Sequence, residues 1–89
     1  MQVQKEKMLK ILSKIIEAER LKTCKKIYQI SAEAGIDYST WRKIEQGKYK
    51  DIKLSSLWKI SEALEIYPDE LIKKLRMELG EDFTLFDIE

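Results

Sequence analysis

Apolar residues stand three and four positions apart along most of the chain, which is the spacing of one face of an α-helix. The first such segment runs from Val3 to Leu21. Further segments follow at residues 25–34, 38–46, 54–64 and 68–79. The pattern therefore predicts five amphipathic helices joined by short connections, with the start of the first, up to about Lys7, as a solvated lead-in.

Glycine and proline mark the ends of these helices. Gly35 and Gly47 stand where a helix is expected to end in a left-handed residue, and Gly80 ends the last helix. Asp37 is a suitable N-cap for the third helix, and Pro68 fits the first position of the fifth. The breaks thus agree with the hydrophobic pattern.

The end of the chain differs from the rest. We divide the sequence into a helical domain at residues 1–80 and an acidic, apolar arm at residues 81–89, which contains β-favouring residues. Two alternatives stay open for the arm: it packs on its own domain, or it forms a dimer contact such as a two-stranded pairing. Its apolar residues, the candidate dimer interface, are Phe83, Leu85, Phe86 and Ile88.

Charge is distributed unevenly along the chain. The 89 residues carry a net charge of +1, from 17 basic and 16 acidic side chains, which argues against a protein that coats DNA indiscriminately. Residues 1–76 carry +6, of which +4 lies within residues 21–50, whereas residues 77–89 carry −5. The apparent neutrality is a cancellation between a basic domain and an acidic tail.

The residue inventory excludes several functions. The chain has no histidine and one cysteine, Cys24, so it can form neither an internal disulfide nor a Cys/His zinc site, and histidine-dependent catalysis is impossible. We expect no enzyme activity, no metal and no cofactor. Cys24 is interpreted as a small, partly buried residue between the first two helices. No apolar run is long enough to span a membrane, no leader is visible, and we expect a cytoplasmic protein.

The centre of the chain carries a more specific pattern. Two short helices are joined by a tight turn at Gly35, Ile36 and Asp37, which is the helix-turn-helix arrangement. This stretch resembles the phage-repressor and Cro-like (XRE-type) family of helix-turn-helix DNA-binding domains. The resemblance is carried by Ile30-Ser31, Ala34-Gly35-Ile36, Ser39, Ile44-Glu45-Gln46-Gly47, Leu57, Ile60, Ala63-Leu64 and Pro68-Asp69-Glu70-Leu71.

The resemblance implies an all-α, five-helix, lambda-repressor-like fold with the helix-turn-helix at about residues 25–47. It also implies an ion pair between Arg20 and Glu45 that ties the first helix to the third, and a core position for Trp41. At Ile27 the sequence departs from the family, which often has glutamine there. Either the second helix starts earlier, capped by Thr23, or Lys26 takes over the missing contact.

If the domain binds DNA as the resemblance implies, the helix at 38–46 enters the major groove. Tyr38, Ser39 and Lys43 match base-contact positions. Phosphate contacts are expected on either side, from Lys25, Lys26, Thr40, Arg42, Lys48, Tyr49 and Lys50.

The resulting hypothesis is a sequence-specific transcriptional regulator, a dimeric repressor that binds a palindromic double-stranded operator. The alternative is an antitoxin or interaction module of the same fold, which binds a protein partner, such as a toxin, through its C-terminal part.

Overall fold

A computed structural model describes residues 3–86 of the chain. It contains five helices, and residues 3–86 form no strand. The all-α fold and the order of the helices are therefore as the hydrophobic pattern predicts. The helices are α1 (Val3–Thr23), α2 (Ile27–Ala34), α3 (Tyr38–Glu45), α4 (Leu54–Ala63) and α5 (Pro68–Leu79).

The connection between α1 and α2 is organised by Thr23. Its hydroxyl donates to the carbonyl oxygen of Arg20 at 2.6 Å and accepts from the backbone N–H of Lys25 at 3.1 Å. Thr23 thus closes α1, and α2 begins only at Ile27, so the alternative of an earlier, Thr23-capped second helix is wrong. Cys24 lies in this connection with a φ of 62° and is exposed, not partly buried as expected.

Three helices end in the same kind of turn. Gly35, Gly47 and Glu65 follow α2, α3 and α4 in the left-handed conformation, with φ of 69°, 73° and 61°. In each case the next backbone N–H reaches a carbonyl five residues back, as in a Schellman motif. These bonds are Ile36 to Ser31 (2.9 Å), Lys48 to Lys43 (2.8 Å) and Ile66 to Ser61 (3.0 Å).

The core lies where the five helices meet. α1 packs against α3 and α5, α2 packs against α3 and α4, and α4 packs against α5. Each helix contributes apolar side chains at helical spacing, as amphipathic elements must when they share one core. The fully buried large side chains are Ile16, Ile30, Trp41, Ile60 and Leu71.

Leu54 and Ile72 have the helical spacing that predicts core positions in α4 and α5, but both lie outside the core. Leu54 is 73% exposed because it is the first residue of α4 and precedes the turn that meets the core. Ile72 is 43% exposed, since one step along α5 from the fully buried Leu71 turns a side chain about 100° away from the core.

The described part of the arm is a turn followed by bends. Glu81 and Asp82 form the turn, and the N–H of Phe83 reaches the carbonyl oxygen of Gly80 at 3.4 Å. Phe83 is half-buried, whereas Leu85 and Phe86 are 48% and 83% exposed. No strand forms in this segment within one chain; Ile88 lies outside the described residues.

Candidate nucleic-acid interface

α3 is amphipathic, and its two faces have separate roles. Trp41 and Ile44 are buried against the other helices. Asp37 occupies the N-cap position of α3, but its side chain makes no capping hydrogen bond. All the polar side chains of the other face are exposed, which leaves a surface for an external partner: Tyr38, Ser39, Thr40, Arg42, Lys43 and Gln46.

A network around Glu45 fixes the end of α3. Its carboxylate accepts hydrogen bonds from Arg20 through Nε at 2.6 Å and Nη2 at 3.0 Å, and from the indole N–H of Trp41 at 2.6 Å. The Arg20 and Glu45 side chains are only 12% and 5% exposed. The hydrogen bond to Glu45 raises the pKa of Arg20, against the opposing effect of burial.

Arg20 also connects this network to the start of the helix-turn-helix. Its Nη1 donates to the carbonyl oxygen of Lys25 at 3.1 Å. One guanidinium therefore holds the end of α3, the end of α1 and the approach to α2. The bidentate geometry fixes direction as well as distance, so the orientation of α3 is set from inside the domain.

The three candidate base-contact residues lie on the exposed face of α3. Tyr38 and Ser39 are in its first turn, and Lys43 follows one turn later. Within residues 3–86 these side chains make no hydrogen bond or ion pair with another side chain. Their polar groups are thus free of competing partners inside the fold.

The candidate phosphate contacts divide into two groups. Lys26, Arg42, Lys48 and Lys50 are exposed, and no carboxylate of the described residues lies within 4.0 Å of their charged nitrogens. Lys25, in contrast, pairs with Glu33 at 2.7 Å and with Glu65 at 3.4 Å. The hydrogen bond to Glu33 raises the pKa of Lys25. Its charge is already matched within the protein. Thr40, an uncharged candidate, is also exposed.

Tyr49 anchors the loop that follows α3. Its hydroxyl donates to the carbonyl oxygen of Leu9 in α1 at 2.9 Å and lies 3.5 Å from the Ser13 hydroxyl. Burial raises the pKa of Tyr49. The hydroxyl that sequence reasoning assigns to a DNA phosphate is therefore engaged inside the fold, whereas the cations of this loop, Lys48, Lys50 and Lys53, are exposed.

A basic cleft of about 600 Å³ separates the beginning of α1 from this loop. A salt bridge of 2.9 Å between Lys5 and Asp51 also joins the two elements, and its hydrogen bond lowers the pKa of Asp51. Sequence reasoning missed this site because it treated the lead-in of α1 as solvated. The cleft, which we call the lysine cleft, is lined by Lys5, Glu6, Leu9, Lys10, Gly47, Lys48, Tyr49 and Lys50.

A second groove, of about 830 Å³, lies between α4 and the start of α5. Trp58 and Tyr67 line it and are 52% and 71% exposed. Helical phase could have revealed Trp58, since it stands one residue after the buried Leu57 and so falls off the apolar stripe. We call this site the acidic groove, because four carboxylates line it against one lysine: Glu19, Glu62, Glu65 and Glu70.

No helix among residues 3–86 has the length and apolar character needed to cross a bilayer. The same residues contain no group of three or more histidine, cysteine or acidic side chains placed to hold a metal ion.

Comparison with known proteins gives one result. The family model for the Cro/C1-type helix-turn-helix DNA-binding domain matches residues 11–74. No curated protein and no solved structure gives a significant match.

Proposed function

The chain belongs to the Cro/C1-type helix-turn-helix DNA-binding family, and from this premise we propose that it is a dimeric transcriptional repressor that recognises a specific operator. The observation that carries the proposal is the division of α3. Its inner face is locked by the Glu45 network, while its outer face presents unpaired polar and basic groups. The inner face therefore fixes the position of α3, and the outer face is free to contact bases.

α3 enters the major groove in this proposal. Lys43 donates to O6 and N7 of a guanine, Ser39 bonds a base edge, and Tyr38 contacts a thymine methyl group or a phosphate. The first turn of the recognition helix reaches deepest, which places Tyr38 and Ser39 at the centre of the contact.

Phosphate contacts fix the register of α3 on the duplex. Lys26 supplies one at the start of α2, Arg42 and Thr40 supply others beside the base-reading residues, and Lys48 and Lys50 supply those of the loop. We propose structural roles for Lys25 and Tyr49 in place of phosphate contacts, since their polar groups already have partners within the fold.

Dimer formation follows from the size of the reading unit. One recognition helix contacts only a few base pairs, so a useful affinity requires two copies on a two-fold operator. The arm supplies an interface: Leu85 and Phe86 expose apolar surface, and Phe83 is half-buried. Ile88, which lies outside the described residues, is the remaining candidate that the sequence assigns to this interface. A dilution series by analytical ultracentrifugation tests this, and a monomer at every concentration would contradict it.

DNA binding itself is tested by selection from a random duplex pool, which should return a palindromic consensus. Lys43→Ala should weaken binding to that consensus by about 1–3 kcal/mol per half-site and relax the preference at one base pair of each half-site. Lys50→Ala should weaken binding to all sequences alike and reduce the slope of log affinity against log salt by about one unit for each subunit of the dimer. Lys73→Ala, on the exposed surface of α5, is the matched control.

If neither Lys43→Ala nor Lys50→Ala differs from the Lys73 control, the docking of α3 is wrong.

We propose partner binding as a second function, on the strength of the acidic groove. Trp58 and Tyr67 offer aromatic faces to a cation, and the carboxylates of Glu62 and Glu70 have no ion-pair partner among the described residues. The groove is therefore complementary to a basic segment of a protein partner, which agrees with the alternative of an antitoxin or interaction module. A small basic protein encoded beside this chain should bind it, and Trp58→Ala should weaken that complex without changing affinity for DNA.

An equally tight complex with Trp58→Ala would exclude the acidic groove as the docking site.

A further inference from the structure

We infer that the lysine cleft binds one phosphate diester of the DNA backbone, so that the beginning of α1 extends the DNA contact beyond the helix-turn-helix. The inference rests on the proposed function, since it concerns the same ligand. It assigns a role to residues 3–10, which precede the segment matched by the family model.

The cleft has two walls that are joined at both ends. At one end the Tyr49 hydroxyl bonds the Leu9 carbonyl at 2.9 Å, and at the other Lys5 bonds Asp51 at 2.9 Å. These contacts hold the loop against α1 across a separation of about 40 residues in sequence. The shape of the cleft is thus set by the fold before any ligand arrives, which lowers the entropic cost of binding.

Positive charge dominates the lining. Four lysines face one carboxylate, Glu6, and the Lys5 charge is matched by Asp51. Lys10, Lys48 and Lys50 remain, and no carboxylate among residues 3–86 lies within 4.0 Å of their ammonium groups. Three unmatched ammonium groups against the single lining carboxylate of Glu6 give the cleft a net positive charge, which suits a single anion.

Lys10 contributes the wall that belongs to α1. Its Cγ lies 3.7 Å from the position that a Cβ would occupy on Gly47, so the Lys10 stem runs alongside the turn that ends α3. The backbone N–H groups of Gly47 and Lys48 already donate to Ile44 and Lys43, at 3.1 and 2.8 Å. An anion here is consequently held by ammonium groups and not by these two amides.

The location decides which anion is bound. The cleft includes Gly47, two residues beyond the last residue of α3, and therefore flanks the helix that enters the groove. A duplex docked on α3 presents its backbone on either side of that helix. The phosphate of the cleft is thus one that neighbours the bases read by α3.

The test compares Lys10→Gln with Lys7→Gln. Both residues are exposed lysines on α1 one turn apart, but Lys7 does not line the cleft. On the selected operator, Lys10→Gln removes one phosphate contact from each half-site of the dimer, so it should reduce the salt slope by about 1.8 and affinity near 0.1 M salt by about 60-fold. Lys7→Gln should change both much less, and Lys10→Arg should restore binding.

Ethylation interference locates the contact. One phosphate in each half-site should interfere when ethylated with the wild-type protein and cease to interfere with Lys10→Gln. Circular dichroism checks that each variant is folded.

Equal effects of Lys7→Gln and Lys10→Gln, or an unchanged interference pattern, would overturn the inference while the effect of Lys43→Ala still upholds the proposed function. A wild-type protein that selects no DNA would overturn both.

Discussion

The carboxylate of Glu45 is a position at which a single substitution should strongly destabilise the fold. It accepts three hydrogen bonds, two from Arg20 and one from Trp41, and its side chain is 5% exposed. Replacement of Glu45 by alanine leaves the guanidinium of Arg20 and the indole N–H of Trp41 without their acceptor. Both groups are nearly or fully buried, so water cannot readily substitute.

The expected cost follows from these contacts. A hydrogen bond to a charged group contributes about 1.5–3 kcal/mol, and removal of one partner of a buried ion pair costs about 3–5 kcal/mol. We expect about 4 kcal/mol for Glu45→Ala and about 2–3 kcal/mol for Glu45→Gln, whose amide oxygen still accepts one bond. A domain of 89 residues has a free energy of unfolding of about 4–13 kcal/mol. Glu45→Ala therefore removes a large fraction of it.

Urea denaturation followed by circular dichroism measures this loss. A Trp58→Phe background leaves Trp41 as the one tryptophan, so its fluorescence reports the buried network directly. Arg20→Met combined with Glu45→Leu should cost less than the sum of the single changes, by about 2 kcal/mol, because the double variant leaves neither charge unpaired. Single-variant losses below about 1 kcal/mol, or strict additivity, would refute the reasoning.

Three further substitutions test local features. Glu65→Gly should raise the free energy of unfolding by about 0.5 kcal/mol. Relief of backbone strain at a φ of 61° outweighs both the greater chain entropy of glycine in the unfolded state and the loss of the exposed ion pair with Lys25. A lower free energy of unfolding in a urea titration would contradict this. Gly47→Ala should cost about 1–2 kcal/mol from its φ of 73° alone, because the nearest atoms lie 3.7 Å from a Cβ; a cost near zero by the same assay would show that this turn carries no strain. Tyr49→Phe should reduce the loss of stability at alkaline pH. Because the pKa of Tyr49 is raised in the folded state, the unfolded chain releases this proton first, and the wild-type free energy of unfolding falls as pH rises above the usual tyrosine pKa. Parallel profiles of stability against pH for the two proteins would exclude the effect.

Much of the fold follows from local signals in the sequence. Helical spacing predicts all five helices, and Gly35 and Gly47 predict where α2 and α3 end because glycine adopts positive φ without strain. The resemblance to the Cro-like family is confirmed by the family match. Glu65 ends α4 in the same conformation but carries no such signal, since glutamate gives no local hint of positive φ.

The candidate site is harder to predict from the sequence than the fold is. Sequence pattern places Tyr49 and Lys25 beside the reading helix but cannot show that Leu9 and Glu33 engage their polar groups, because those partners are fixed only by tertiary packing. The lysine cleft was missed for the same reason. Its two walls are about 40 residues apart in the chain, and neither wall alone is unusual.

The separation of α3 into a buried face and an exposed face also determines which of its residues can be substituted without loss of stability. Trp41, Ile44 and Glu45 carry its internal contacts, whereas the outward side chains at 38, 39, 42 and 43 make no side-chain hydrogen bond within residues 3–86. Replacing those four residues should leave the free energy of unfolding almost unchanged while altering the three proposed base contacts and the proposed phosphate contact of Arg42. These outward residues can therefore be exchanged, by natural drift or in a four-position library screened for new operators, while the contacts that hold α3 in the domain stay the same.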